Sequence, residues 1–278
     1  MKDKPFTQQK YNNNSTSHSF IHCSWDNSGL VSNGGAIHLC CDSSQPLISL
    51  TVDECTFQHC YETSSDGAGA VYAQNIGISI VENSFFYDCK CATNTLFPEG
   101  AGVLFNYIRT SPLIKLTFFL SCITGDDGGG CGIWYSNSSI TYVVDSCRFI
   151  KCKGTTDNGC QGGGIIIAHC TTFIACTNCL LCACEAKHQG GGIWIMCPTG
   201  APISPITFCF FHENQSDNGR DVYFQDFDSV LPAIAHSFSF ESTSGRVGAQ
   251  SDDWLPSGIV TCEGSSNGTT YLDDDVTL

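Results

Sequence analysis

The chain has 278 residues, and its 27 Asp and Glu against 12 Lys and Arg give a formal net charge of −15. This charge disfavours nucleic acid, anionic membranes and polyuronic acids as partners, because like charges would repel. A hydrophobic content of 42% excludes a disordered chain, and no run approaches the ~20 apolar residues of a transmembrane helix. We therefore expect a folded domain that does not insert into a membrane.

A short motif recurs along the chain: an aromatic residue, a Cys three positions later, a polar loop, and an apolar strand that begins with glycine. Steps between successive aromatic positions are 32, 29, 33, 30, 32 and 30 residues. Such a spacing is typical of stacked repeats rather than of one compact core. The first position, called the anchor below, holds Trp25, Phe57, Phe86, Phe119, Phe149, Leu181 and Phe211. The Cys position holds Cys60, Cys89, Cys122, Cys152, Cys184 and Asn214.

The pattern within each repeat predicts short β-strands. Before the second anchor, Ile48, Leu50 and Val52 alternate with polar residues, which is the period of a strand with one buried face. A loop rich in Ser, Asp and Gly follows the Cys, and a second strand begins after it. We expect two or three short strands per repeat and no helix.

Glycine opens the second strand in six copies. A residue without Cβ is needed where the backbone has positive φ or where neighbouring chains crowd, and both conditions occur where a solenoid bends. The distance from anchor to glycine varies from 10 to 16 residues, so we expect insertions along one edge of the stack. The six glycines are Gly35, Gly69, Gly102, Gly132, Gly164 and Gly192.

Together these features predict an all-β fold, a parallel β-helix of about seven to eight coils. Coils about 4.8 Å apart would stack like residues on like, so that each adds one aromatic ring and one thiol to internal columns. We assign residues 20–225 to the β-helix. Residues 1–19 are interpreted as a polar N-terminal segment or cap, and residues 226–278 as degenerate last coils around Phe240, a C-terminal cap and an acidic tail.

The chain contains 20 cysteines, which could be thiols or disulfides. Stacked Cα atoms about 4.8 Å apart are within disulfide range, but parallel Cβ vectors are poorly aimed for a bridge. We expect a buried stack of thiols, with occasional bridges if the protein is oxidised.

The two motifs, the aromatic-x-x-Cys motif and the glycine motif, resemble the Phe-x-x-Asn and Gly-Gly-Ala-Ile motifs of the polymorphic outer-membrane proteins of chlamydiae. They are even more similar to the Phe-x-x-Cys variant in surface-type β-helix families of parabasalid and oxymonad protists. The similarity covers roughly residues 20–224 and includes the motif from Gly219 to Phe224, which is often found at the C-terminal end of such repeats. It implies a right-handed parallel β-helix of the pectate-lyase type and, for the chlamydial relatives, adhesion at a cell surface.

The location of the protein is predicted from two features. The N-terminal residues are polar and lack the apolar stretch of a secretory signal peptide, so the protein either stays inside the cell or is part of a longer chain. The resemblance implies an extracellular or cell-surface location, which is the location that we predict.

Polysaccharide lyases and hydrolases share the β-helix architecture, so catalysis has to be considered. Such enzymes need carboxylates from adjacent coils together with a basic substrate clamp or base. The nearest candidates are Asp126 and Asp127. Aligned loops of other copies are similarly polar, with Asp66, Asp157 and Gln189, and the four arginines are scattered, at Arg109, Arg148, Arg220 and Arg246. We assign no catalytic and no cofactor-binding residue.

One cysteine-rich segment could be interpreted as a zinc site. Cys179, Cys182, Cys184 and His188 combine a Cys-x-x-Cys pair with a further thiol and an imidazole. However, Cys179 and Cys184 occupy standard positions of the repeat, so only Cys182 and His188 are additional. We assign no metal-binding residue.

We expect a non-enzymatic β-helix module of a secreted or surface protein, which acts in adhesion or display through its loops and side faces. Its partner is unknown; host-cell surfaces and neutral glycans are candidates. The alternative is a carbohydrate-active β-helix enzyme or a glycan-binding module. Three or more carboxylates within about 6 Å in a lateral groove would favour the enzyme. Inward columns of Phe and Cys with side faces of Ser, Thr and Asn would favour the module.

Overall fold

The structure is a computed structural model of the chain. It describes residues 9–11, 17–26, 29–30, 35–41, 48–62, 68–91, 100–125, 131–136, 142–155, 160–168, 174–196, 206–207, 209–217, 221–225, 238–240 and 247–250. All regular elements in these ranges are β-strands, and all of their pairings are parallel. Within the same ranges, no helix is long and apolar enough to cross a membrane.

The strands are numbered along the chain and form four sheets, A to D. Sheet A contains β1 (Gln9–Tyr11), β5 (Ile37–Cys40), β9 (Val71–Gln74), β13 (Val103–Ile108), β17 (Cys131–Ser136), β21 (Ile165–Ala168), β24 (Ile193–Met196), β27 (Val222–Gln225) and β29 (Val247–Gln250). Sheet B contains β2 (His18–Ile21), β6 (Leu50–Asp53), β10 (Ser79–Glu82), β14 (Leu113–Lys115), β18 (Tyr142–Asp145), β22 (Ile174–Thr177) and β25 (Ile206–Thr207). Sheet C contains β3 (Ser24–Asp26), β7 (Thr56–Gln58), β11 (Phe85–Tyr87), β15 (Phe118–Leu120), β19 (Arg148–Ile150), β23 (Leu180–Cys182), β26 (Cys209–His212) and β28 (Phe238–Phe240). Sheet D contains β4 (Gly29–Leu30), β8 (Tyr61–Glu62), β12 (Lys90–Cys91), β16 (Ile123–Thr124) and β20 (Lys153–Gly154).

One coil of the solenoid passes through sheets B, C, D and A in that order, as β6, β7, β8 and β9 show. The predicted all-β parallel solenoid is confirmed. A complete coil has four strands instead of two or three, because two residues after the Cys form the short strands of sheet D. Among the described residues, sheets A, B, C and D hold nine, seven, eight and five strands, so the coil count differs from the predicted seven to eight on two of the four faces. The predicted right-handed sense stays a prediction.

The core is a set of columns in which equivalent residues of successive coils stack. Trp25 stacks on Phe57 with ring centroids 4.5 Å apart, and the column continues through Phe86, Phe119 and Phe149 at spacings of 4.6 to 4.8 Å. All seven anchors lie in one register in sheet C and are buried. Burying a Phe side chain contributes roughly 1.5 to 3 kcal/mol, so the column is a principal source of stability. At the end of the stack the backbone of Phe240 pairs with that of Phe211.

The sharp corners of each coil are formed by non-glycine residues with positive φ, which the sequence analysis did not anticipate. A single left-handed residue turns the chain between two strands without a loop. The corner between sheets B and C uses His22, Glu54, Asn83, Leu116, Ser146 and Asn178, with φ from 48° to 55°. The corner between sheets C and D uses His59, Asp88, Ser121, Lys151, Ala183 and Glu213, with φ from 49° to 54°.

The glycines before sheet A are required by crowding between coils. A Cβ on Gly69 would lie 2.4 Å from the carbonyl oxygen of Ala101, and one on Gly192 would lie 2.5 Å from that of Asp221. Gly35 and Gly164 are similarly confined by the next coil. Positive φ occurs at other glycines, namely Gly162 and Gly190. Of the two reasons given for these glycines, close approach of the backbone is therefore the one that applies.

The assignment of Gly132 to this glycine column is wrong. Gly132 lies inside β17 and pairs with Leu104 on one side and Ile166 on the other, two residues beyond the register position of Gly102 and Gly164 and three beyond that of Gly69. Gly102, in contrast, directly precedes β13. A shift of two residues preserves the inward and outward alternation of a strand, so hydrophobic pattern alone could not detect the error.

Candidate functional sites

The cysteines three residues after each anchor form one internal column of free, buried thiols: Cys60, Cys89, Cys122, Cys152 and Cys184. From Cys89 onward, each sulfur donates a hydrogen bond to the anchor carbonyl of the preceding coil, at distances of 3.4 to 3.7 Å. Burial raises the pKa of the last four thiols well above the ordinary value, so they stay protonated at neutral pH. The column is a packing element without an accessible nucleophile.

Asn214 takes the next position of this column and makes the equivalent contact. Its Nδ2 donates to the carbonyl of Leu181 at 3.0 Å and to the carboxylate of Asp221 at 2.9 Å. Its Oδ1 accepts from the backbone N–H of Cys184 at 2.9 Å. Cys and Asn can exchange at this position because both can donate to the anchor carbonyl of the preceding coil.

A second group of thiols lies where sheet B meets sheet C. The position two residues before each anchor holds Cys23, Cys55, Ser84, Thr117, Cys147, Cys179 and Cys209. Cys176 reaches the same corner from sheet B, where it stands in register between Val144 and Ile206. The Sγ atoms of Cys176, Cys179 and Cys209 all lie within 4.8 Å of one another, and those of Cys176 and Cys209 are 3.7 Å apart. We call these three residues the thiol corner.

The thiol corner is buried, and its sulfurs influence one another. Within the described residues, it is the only group of three Cys, His, Asp or Glu side chains whose ligand atoms lie this close together. Hydrogen bonding with Cys179 and Cys209, together with burial, raises the pKa of Cys176. Hydrogen bonds from Cys147, Cys176 and Cys209 lower the pKa of Cys179. A dry cluster of sulfur donors is the ligand type that thiophilic metal ions prefer.

The four residues considered for zinc in the sequence do not come together. Cys179 belongs to the thiol corner, Cys184 lies in the other column, and the half-buried Cys182 faces outward from sheet C. His188 lies 3.8 Å from the carboxylate of Asp217. Cys176 was not predicted from the sequence, because it interrupts an aliphatic column of sheet B and belongs to no repeated motif. Alignment of β22 with Val144 in β18 would have identified it.

The outer face of sheet C carries a continuous apolar strip. Its members project from five adjacent strands and are at least partly exposed: Phe85, Tyr87, Phe118, Leu120, Ile150, Leu180, Cys182 and Phe210. Arg148 and His212 complete the two outward rows. Five strands about 4.8 Å apart make the strip about 19 Å long. We call these residues the sheet C face.

This face departs from the Ser, Thr and Asn surface that the sequence analysis expected of a non-enzymatic module. The signal was present in the sequence as doublets, in which Phe85 precedes Phe86, Phe118 precedes Phe119 and Phe210 precedes Phe211. Because neighbouring strand residues face opposite sides, only one member of each doublet can be buried in the core. The anchors point inward, and their neighbours form the outer strip.

An open cleft of about 740 Å³ lies near the last coils. Its lining residues are Ala183, Glu185, Ala186, Lys187, Glu213, Asn214, Gln215, Ser216 and Asp217. Its three carboxylates have different partners, since Glu185 pairs with Lys153 at 2.5 Å, Glu213 with His212 and Asp217 with His188. In the described part of the chain, no three carboxylates have oxygens within 4.8 Å of one another. These carboxylates therefore form separate ion pairs within the cleft.

Other candidates from the sequence lie outside the described residues. These are Asp66, Asp126, Asp127, Asp157, Arg220 and Arg246. Of the remaining arginines, Arg148 is exposed on the sheet C face, and the backbone N–H of Arg109 donates to Ile76.

No protein-family model, curated protein or solved structure matches this chain. The fold rests on strand pairing and register within the chain itself. The resemblance to polymorphic outer-membrane-protein repeats stays a prediction.

Proposed function

We propose that this chain is a non-enzymatic β-helix module that attaches to a partner protein through the sheet C face. The observation that carries the proposal is the strip of Phe, Tyr, Leu and Ile side chains aligned on five adjacent strands. A rigid parallel sheet holds these side chains in place before binding, so little conformational entropy is lost on association. The module acts in adhesion or display at a cell surface.

The chemistry of the face favours a protein over a glycan. The cores of protein interfaces are rich in aromatic residues and poor in charge, and Arg148 is the one formal charge within the two outward rows of β11 to β26. A glycan needs several polar groups that match its hydroxyls. Among the apolar residues of the face, Tyr87 alone offers a hydroxyl. The partner is therefore expected to present an apolar centre about 20 Å across.

The test is a binding screen with the labelled, intact chain against cell-surface ectodomains and neutral glycans. The double variant Phe118→Gln and Leu180→Gln removes two central residues of the face. The control, Leu113→Gln and Val143→Gln, alters two half-buried outward positions of sheet B. We expect the first variant to weaken binding to the captured protein at least about 30-fold and the control to bind normally. Equal binding by both variants, capture of glycans alone, or association of the chain only with itself would each reject the proposal.

An enzymatic function has one specific observation in its favour, the acidic cleft near the last coils. A glycosidase would use Glu185 or Glu213 there as an acid or a nucleophile. Incubation of the chain with neutral polysaccharides, followed by reducing-end analysis, tests this alternative. Cleavage that is lost in both Glu185→Gln and Glu213→Gln would establish it and would contradict the non-enzymatic proposal.

A further inference from the structure

We propose that Cys176, Cys179 and Cys209 form a binding site for one thiophilic metal ion, Cu(I) or Zn(II). The three residues come from β22, from the corner that precedes β23, and from the start of β26. They therefore converge only when two successive coils are stacked. All three are buried, so an ion held there would be shielded from water.

The sulfur positions are close to those of a coordinated ion. An ion with bonds of about 2.3 Å to sulfur places its ligands about 3.8 Å apart in a tetrahedron or about 4.0 Å apart in a trigonal plane. The Cys176 and Cys209 sulfurs are 3.7 Å apart, and all three sulfurs lie within 4.8 Å of one another. Small side-chain rotations would be enough to place them around one ion.

The site differs from the rest of the cysteine array in composition. At the position of Cys176, the neighbouring coils of sheet B have aliphatic residues, namely Val52, Val81, Ile114, Val144 and Ile206. A packing role alone would be served by another Val or Ile. Cys in this position adds a soft ligand beside a run of three consecutive cysteines in the neighbouring column, Cys147, Cys179 and Cys209.

The two ions differ in the ligands that they require. Cu(I) is satisfied by three sulfurs, whereas Zn(II) in structural sites takes four ligands. Cys147, the preceding cysteine of the column, lies outside the group of sulfurs within 4.8 Å of one another, so it can supply a fourth sulfur to Zn(II) only after its side chain moves closer. On binding, each coordinating S–H bond breaks as a sulfur–metal bond forms, the protons pass to solvent, and no electron is transferred.

The experiment uses the full chain, purified anaerobically in the presence of Cu(I) or Zn(II) and then dialysed, with bound metal measured by mass spectrometry. The decisive variant is Cys176→Val, because Val occupies this position in other coils and is expected to fold. The control is Cys55→Ser, which removes a buried thiol from the same column several coils away. Wild type and Cys55→Ser should retain one ion per chain, and Cys176→Val at least about tenfold less.

Two further measurements complete the test. Cys147→Ser should reduce the retention of Zn(II) and leave the retention of Cu(I) unchanged. X-ray absorption spectroscopy should show only sulfur atoms around the bound ion, at about 2.3 Å for zinc. Circular dichroism and thermal unfolding establish that each variant is folded. Absence of bound metal in wild type, equal retention by folded Cys176→Val, or a Cys176–Cys209 disulfide in the anaerobically purified protein would overturn the proposal.

Discussion

At the scale of single residues, the internal columns show how a repeat tolerates chemically different side chains. Cys152, Cys184 and Asn214 occupy successive positions, and Cys184 and Asn214 each donate to an anchor carbonyl. The position therefore requires a compact donor more than it requires sulfur. The sequence showed the alternation of Cys with Asn, but the hydrogen bond that explains it depends on the register between coils.

Replacement of Asn214 by Ala should lower the free energy of unfolding by about 3 kcal/mol, because it leaves the N–H of Cys184 and the carbonyl of Leu181 unpaired in the core. Asn214→Cys restores the residue type of the column and a donor to Leu181, so it should cost about half as much. Urea unfolding of both variants measures the difference. Equal losses would show that the donor to the carbonyl is unimportant.

A second residue-scale prediction concerns pH. The Oγ1 of Thr177 donates to Asp145 at 2.7 Å, and this hydrogen bond is the main cause that lowers the pKa of Asp145. Because the folded pKa lies below the unfolded one, the bond stabilises the protein above the unfolded pKa, and this stability is lost as pH falls through the folded pKa. Thr177→Val should therefore cost about 1 kcal/mol at pH 7 and almost nothing near pH 2.

Chemical unfolding at several pH values measures this effect. The control is Thr51→Val, an outward position of the same sheet whose register partners are Ser19 and Ile80. A loss for Thr177→Val that does not change with pH would contradict the role assigned to the Asp145 carboxylate.

At the scale of elements, strand register separates residues that look equivalent in sequence. The motifs that contain Gly69 and Gly132 are similar in sequence. However, Gly69 is confined by the backbone of the next coil, whereas Gly132 lies within β17 opposite Leu104 and Ile166. The corners show the same limitation. Residues as different as Glu54 and Leu116 adopt the same positive φ, because stacked neighbours impose that backbone on each coil.

The two glycines should respond differently to the same substitution. Gly69→Ala places a methyl group 2.4 Å from a backbone oxygen and should lower stability by about 3 kcal/mol or more. Gly132→Ala should have little effect or raise stability slightly, since register partners carry Leu and Ile there and Ala favours a strand over Gly. Thermal unfolding of both variants decides the matter. A large loss of stability in Gly132→Ala would contradict the register position assigned to Gly132.

At the scale of the whole molecule, each coil contacts mainly the coils before and after it, as the four sheets pair strands of successive coils. Stability is then approximately a sum of coil and interface contributions. The column of rings runs through this stack without interruption from Trp25 to Phe149. A defect in the middle should consequently act on its neighbours first.

Phe119→Ala removes a buried ring that stacks on Phe86 at 4.8 Å and on Phe149 at 4.7 Å. We expect a loss of about 3 to 5 kcal/mol and faster hydrogen exchange in β11, β15 and β19, with little change in β2. Hydrogen exchange followed by mass spectrometry maps this response. A uniform increase over all coils would instead mean that the solenoid unfolds as one cooperative unit.

The sequence by itself determined the parallel solenoid, the anchors and the thiol column, because these features repeat at a nearly constant spacing and alternate with polar residues. Tertiary structure alone decided the fourth sheet, the left-handed corners and the position of Gly132, since a shift of two residues leaves the alternation intact. It also decided both candidate sites. The sheet C face depends on which member of each aromatic doublet points outward, and the thiol corner joins Cys176 to Cys179 and Cys209 only when two coils are stacked.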